Sequence, residues 1–294
     1  MDSQVQFFEG VEKRIEFDFA GTNLRDELNR AVLEKIVKPV ECVIEGVLSG
    51  DHVDSYLLSA SSLFVYDDLV IIKTCGATKI FECINGIVAA VPYPHQRPCD
   101  EKDVLGSSLN HSSLGGIQEK TLGTTQQWFI MNVPLSSSST TGKKLPTIEM
   151  CMRELDREKA AQYYKDRDDG RTMIDKSGVG QIFPEATVHA HEFEPFGFSM
   201  NTVEGFAIST IHVSPQPESS YASFEAVGYD ISTDEKLNLV IERVLSCFRP
   251  KQFTVAIYNG GEIYPQLQGY NCTEKIILPL GPGGPVSFFT FLAV

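Results

Sequence analysis

Short apolar runs, most of them rich in β-branched or aromatic residues, recur at 41–48, 55–65, 69–75, 127–133, 146–152, 187–193, 205–213, 221–226 and 252–258. Runs of that length and composition predict strands. Two amphipathic helices interrupt them. Residues 24–38 follow Thr22 and Asn23 as a cap and stop at Pro39. Residues 233–248 place Leu237, Val240, Ile241, Val244, Leu245 and Phe248 on one face, with Ser232 and Glu235 as the expected capping box and Pro250 as the stop. Shorter helices are expected at 156–164 and 78–90. Many strands with few one-sided helices predict an α/β (α+β) sandwich, in which helices cover the outer faces of antiparallel sheets.

A chain of 294 residues with 42% hydrophobic content can bury a large core, as one domain or two intimately packed halves. Its net charge of −14 repels phosphate backbones and anionic membrane surfaces, so neither nucleic acid nor membrane is an expected partner. Cys42, Cys75, Cys83, Cys99, Cys151, Cys247 and Cys272 are odd in number and contain no CxxC pair. That usage predicts reduced thiols and a cytoplasmic setting. Met1-Asp2-Ser3-Gln4 has neither a basic nor an apolar leader region, and the apolar stretch 276–294 is broken by Pro279, Pro282 and Pro285, against a spanning helix.

One run carries an anomaly. Ser59-Ala60-Ser61-Ser62 lies between Tyr56-Leu57-Leu58 and Leu63-Phe64-Val65. A hydroxyl in a buried strand must find a partner or cost stability. These serines are therefore either bonded to nearby backbone or include one that attacks the chain itself. A separate feature, His189-Ala190-His191, puts two imidazoles on one strand face near Glu185, Glu192 and Glu194, but spacing fixes no third ligand and no metal is expected.

Four collinear segments decide between the serine readings: Phe7-Phe8-Glu9-Gly10-Val11-Glu12-Lys13-Arg14; Ser59 to Ser62 with Lys73-Thr74-Cys75-Gly76; Phe193-Glu194-Pro195-Phe196-Gly197-Phe198-Ser199-Met200-Asn201; and Ser209-Thr210-Ile211-His212-Val213-Ser214-Pro215. In this order the chain resembles the eukaryotic S-adenosylmethionine decarboxylases, and 207–229 looks most like the plant branch. The resemblance implies one decarboxylase domain over 1–294, folded as a four-layer αββα sandwich of two stacked antiparallel sheets. Decarboxylating an amino acid needs an electron sink, such as a carbonyl that forms a Schiff base. By the resemblance, Ser61 attacks the Ala60 carbonyl and the chain splits there. Residues 1–60 become the small subunit, and a pyruvoyl group made from Ser61 caps the large subunit, 61–294.

The resemblance also implies the other roles. His212 is the processing base and Ser199 its hydrogen-bonding partner; Cys75 is the proton donor; Glu9 and Glu12 are catalytic carboxylates. Phe8 and Phe193 sandwich the adenine, Leu58 lines the same pocket, and Ala60 and Gln216 stand at substrate-facing positions. Taken singly, a strand histidine, a buried cysteine or one of 18 phenylalanines is more often a packing residue. Implied partners are S-adenosylmethionine and the two subunits of the processed chain, compatible with a monomer. Arg14 fits the plant pattern, in which basic side chains replace the stimulating diamine of animal relatives.

Three departures stand against this. The family's glutamate before the processing serine is Ala60, and its acidic ribose-binding residue is Gln216. A further strand expected between the helix ending near Ala90 and Tyr93-Pro94-His95 is missing, and the ending beyond Gly269 looks unlike relatives. They motivate an alternative, a non-catalytic or weakly active paralogue that binds and regulates an active decarboxylase.

Overall fold

A computed structural model describes residues 11–19, 23–59, 61–91, 117–122, 126–134, 145–165, 170–260, 263–279 and 285–294. The described residues form two sheets. The first contains β1 (Val11–Asp18), β2 (Ile44–Ser49), β3 (Val53–Leu58), β4 (Ser61–Tyr66), β5 (Leu69–Cys75), β6 (Ile117–Leu122) and β7 (Gln126–Pro134), in the order β2-β3-β4-β5-β1-β7-β6. The second contains β8 (Thr147–Arg153), β9 (Thr187–Glu192), β10 (Phe198–Glu204), β11 (Ala207–Ser214), β12 (Tyr221–Val227), β13 (Gln252–Tyr258), β14 (Tyr270–Pro279) and β15 (Pro285–Ala293), ordered β14-β15-β13-β8-β12-β11-β10-β9. Every neighbouring pair is antiparallel except β1 and β7, which run parallel.

The strand expected to be missing between Ala90 and Tyr93 falls next to residues 92–116, which lie outside the described residues. β1 is hydrogen-bonded on both sides, to β5 and to β7, so the middle of the sheet has no gap. The apolar tail carries strands that the sequence reading does not place. It forms β14 and β15, which extend the second sheet beyond β13.

Helices α1 (Leu24–Glu27), α2 (Arg30–Val37) and α3 (Cys83–Ala90) cover the outer face of the first sheet. Leu24, Leu33, Ile36 and Ile87 bury against Ile15, Phe17, Leu63 and Ile72. The helix expected at 24–38 is two helices, because the Asn29 side chain caps α2 by accepting from the Ala31 and Val32 amides. Helices α4 (Arg157–Ala161), α5 (Met173–Ser177) and α6 (Asp234–Phe248) lie on the second sheet, where Leu237, Ile241, Val244 and Phe248 meet Met150, Phe224 and Phe253. Each such side chain contributes about 1.5–3 kcal/mol by burial. The cap of α6 is Thr233, which accepts from the Lys236 amide, rather than the expected Ser232, whose hydroxyl donates to Asp230.

The inner layer is different in kind. Val53, Phe64 and Ile71 of the first sheet meet Val203, Ile208 and Val227 of the second, but around this patch the facing positions are polar or charged. Glu12, Arg14, Lys73, Glu149, Asn201, His212 and Glu225 are all buried there.

Candidate active site

The run read as one strand over 55–65 is a hairpin. β3 ends at Leu58, β4 begins at Ser61, and the two residues face each other across the ladder, with the turn entered at Ser59. Ser59 anchors that turn to Val43: its amide donates to the Val43 carbonyl at 2.9 Å, and its hydroxyl accepts from the Val43 amide at 3.1 Å. Ser61 is paired with Thr74, next to Cys75 at the half-buried end of β5. Glu12 lies opposite Cys75 on β1, so Ser61, Cys75 and Glu12 sit on consecutive strands near one end of the sheet.

Strand alternation then separates the serines. Ser61 faces the helix side, where the Cys42 thiol lies 3.9 Å from its hydroxyl. Ser62 faces the second sheet. Its hydroxyl is 2.7 Å from Asn201 Oδ1, 2.8 Å from Thr210 Oγ1 and 3.1 Å from His212 Nε2. The other nitrogen, Nδ1, is 2.8 Å from Ser199 Oγ, and Ser199 and His212 are directly paired across β10 and β11. The predicted Ser199–His212 pair is therefore brought together, and Ser62, the residue after Ser61, is hydrogen-bonded to it.

Burial pushes the His212 imidazole down to about 3, with the Lys73 ammonium adding to the shift. An unfolded histidine titrates near 6.5, so between those values the unfolded chain binds more protons, and stability is lost as pH falls below about 6.5. His212→Gln removes that liability. In Ser61→Ala chains, lowering the pH from 7.5 to 4.5 should cost the His212 chain about 2–3 kcal/mol more than its His212→Gln counterpart. Urea unfolding at the two pH values checks this, and equal losses would refute it.

Glu12 belongs to a second cluster. Lys73 is hydrogen-bonded to Glu149 Oε1 and lies 3.5 Å from both Glu12 Oε2 and Glu225 Oε2. Tyr221 donates to Glu12, Tyr258 donates to Glu149 at 2.8 Å, and Arg14 Nε donates to Glu225 at 2.8 Å. Burial raises Glu12 and lifts Glu149 to about 7, while at Glu225 the cations Arg14 and Lys73 outweigh burial and lower it. Burial works against the Lys73 charge, but Glu12, Glu149 and Glu225 hold its ammonium above the usual range. The cluster is thus a set of acidic side chains whose cations come from the chain itself.

Leu58 is fully buried in the helix-side core. Phe193 packs by Gly197 with its ring 4.5 Å from His191. Gln216 follows β11, and its buried Oε1 has no hydrogen-bond partner among the described residues. Phe8, Glu9 and Ala60 lie outside the described residues. His189 packs on the Gly46 backbone between the edge strands β9 and β2, and no group of three metal-ligating side chains occurs among the described residues. Ser62, Thr210, Asn201, Lys73, Glu149 and Glu225 were missed. Their signal was present as polar residues inside apolar strands.

Two stacked sheets under helices, with a hydroxyl-imidazole network next to a serine-bearing turn, define a sandwich protein with a buried polar site between its sheets. The family model for adenosylmethionine decarboxylase matches residues 5–104 and 89–291. S-adenosylmethionine decarboxylase proenzyme 1 of Arabidopsis thaliana is 39% identical, over 97% of this chain and 89% of its own length. The proenzyme of Ipomoea nil is 38% identical, over 97% and 89%. The chain belongs to the adenosylmethionine decarboxylase family. The fold is shared with a crystal structure of a Trypanosoma brucei AdoMetDC monomer, at a TM-score of 0.57 and 20% identity, covering 79% of this chain and 99% of that one. The family match runs to residue 291 and so includes the segment beyond Gly269. The 328-residue alignment with the Arabidopsis protein exceeds the chain's own 294, as a shortened chain requires.

Proposed function

We propose that this chain cleaves itself between Ala60 and Ser61 and then decarboxylates S-adenosylmethionine, supplying the aminopropyl donor for spermidine and spermine. The observation that carries the reading is the His212–Ser199 pair, joined through Ser62 to a tight turn that ends at Ser61. Attack of a serine hydroxyl on the carbonyl just before it is internal to the dipeptide. It needs a turn that presents that carbonyl and a neutral base nearby, not a shared strand face. A buried imidazole kept neutral suits the base role.

The residues present fit a pyruvoyl group at position 61. Ser61 is buried at the head of β4, held in register against Thr74, so a group formed there stays fixed next to Cys75. Such a group supplies the electron sink that decarboxylation requires. Cys75, half-buried at the end of β5, holds the proton to be returned to the substrate carbon. Phe193 offers a face for the adenine, and Gln216 an unpartnered acceptor for the ribose. Ala60 is no obstacle to cleavage, which uses only its carbonyl. The free thiols of Cys42, Cys75, Cys83, Cys151 and Cys247 support a cytoplasmic setting.

Intact mass spectrometry, with and without hydroxylamine, tests this. The expected result is two fragments, 1–60 and 61–294, the larger lacking a free amino terminus and reacting with hydroxylamine. A single uncut chain without turnover would refute the proposal and leave the binding paralogue.

A further inference from the structure

We infer that Asn201, acting through Ser62 and Thr210, sets the tautomer of His212, so that Nε2 carries the proton and Nδ1, facing Ser199, is the basic nitrogen. Asn201 and Ser62 are then positioning residues of self-processing. This deepens the proposed function, since it rests on His212 being the processing base.

The argument is a count of protons. Asn201 is fully buried, and one atom of its amide lies 3.3 Å from the Tyr56 carbonyl, which can only accept. That atom is therefore Nδ2, which also donates to Ser55 Oγ at 3.0 Å, and the amide cannot be turned round. Its Oδ1 then faces Ser62 and takes the single hydroxyl proton of that serine at 2.7 Å. With this proton committed, Ser62 Oγ meets its other two neighbours as an acceptor. Thr210 must supply the proton of the 2.8 Å contact with Ser62, and His212 must supply the proton at Nε2. Nδ1 is left as a lone pair that receives the Ser199 hydroxyl proton at 2.8 Å.

The opposite tautomer fails the same count. If Nδ1 carried the proton, Nε2 would need a donor, and among the described residues only Thr210, at 3.1 Å, has one to give. The 2.8 Å Ser62–Thr210 contact would then hold two oxygens with no proton between them. A buried contact of that kind costs about 1–3 kcal/mol, enough to settle a tautomer equilibrium.

Nitrogen-15 NMR of histidine-labelled full-length Ser61→Ala chain reads the tautomer directly, with the His212 signals assigned by their loss in His212→Gln. The expected spectrum shows protonated Nε2 and unprotonated Nδ1. Ser62→Ala frees the Thr210 hydroxyl to donate to Nε2, so the Nδ1–H form should appear; with Ser61 intact, the same change should slow cleavage by about 10²-fold or more. Thr210→Val leaves Ser62 as acceptor, and should keep the tautomer and slow cleavage by less than about tenfold. An Nδ1–H signal in the parent, or an unchanged tautomer in folded Ser62→Ala, overturns the inference. The parent spectrum decides it even if a variant fails to fold. Failure of the two readings is distinguishable: normal cleavage by His212→Gln removes the base role and leaves the tautomer standing, whereas an Nδ1–H parent removes the tautomer and leaves the base role.

Discussion

Ser61→Ala should leave the protein as one polypeptide of 32.6 kDa with no decarboxylation above background. The expected loss is the whole catalytic acceleration, at least about 10⁶-fold, because under the proposed function the variant lacks both the nucleophile that opens the chain and the atoms from which the electron sink forms. The fold should survive. Ser61 places its hydroxyl beside Cys42, on the face opposite Ser62, and alanine fits the same strand position. Gel and mass analysis of the purified protein, followed by release of labelled carbon dioxide, make the comparison. A Ser61→Ala chain that still decarboxylates would mean that the carbonyl is not made at this residue, whatever happens to the backbone.

The second large effect is expected at Lys73. Lys73→Met keeps the length of the side chain but removes the charge that three buried carboxylates share, leaving Arg14 as their cation among the described residues. Removing one partner from a buried ionic group costs about 3–5 kcal/mol, since the remaining charges stay desolvated. The cost depends on pH with a definite sign. Glu149 already titrates near 7, above its unfolded value, so it holds a proton in the fold that the unfolded chain has lost, and stability falls as pH rises from about 4.5 to 7. Without Lys73, Glu12 and Glu149 rise further and that fall steepens. Urea unfolding of uncut Ser61→Ala chains should therefore show a Lys73→Met deficit that is small near pH 5 and large near pH 8. A deficit that is the same at both, or absent, would show that the cluster does not carry shared charge.

Charged residues inside apolar strands were the legible part of this cluster. Lys73 in Leu69–Cys75, Glu149 in Thr147–Arg153 and Glu225 in Tyr221–Val227 each break a run that would otherwise read as core. A sequence shows that such a residue needs a partner. It does not show which strand supplies it, because Lys73 and Glu149 are 76 positions apart and meet only when the sheets stack. The serines follow the same logic. Three hydroxyls in one apolar run signalled something unusual, but whether the run was one strand or a hairpin hung on the turn that begins at Ser59. That turn decided which hydroxyl faces His212.

By itself, the sequence determined the class of fold, through apolar runs of strand length and two one-sided helices, and the family, through four collinear motifs that carry Ser61, Cys75, Ser199 and His212. These are local properties of composition, spacing and residue identity, and they survive without knowledge of what packs on what. Only the tertiary structure decided the rest: the parallel seating of β7 against β1 that closes the first sheet, the division of Ser61 and Ser62 between two faces, and the proton-by-proton ordering around His212. The physical reason is common to all three. Each depends on backbone pairing or on hydrogen bonds between residues far apart in the chain, and a hydrogen bond exists only when both of its ends are in place.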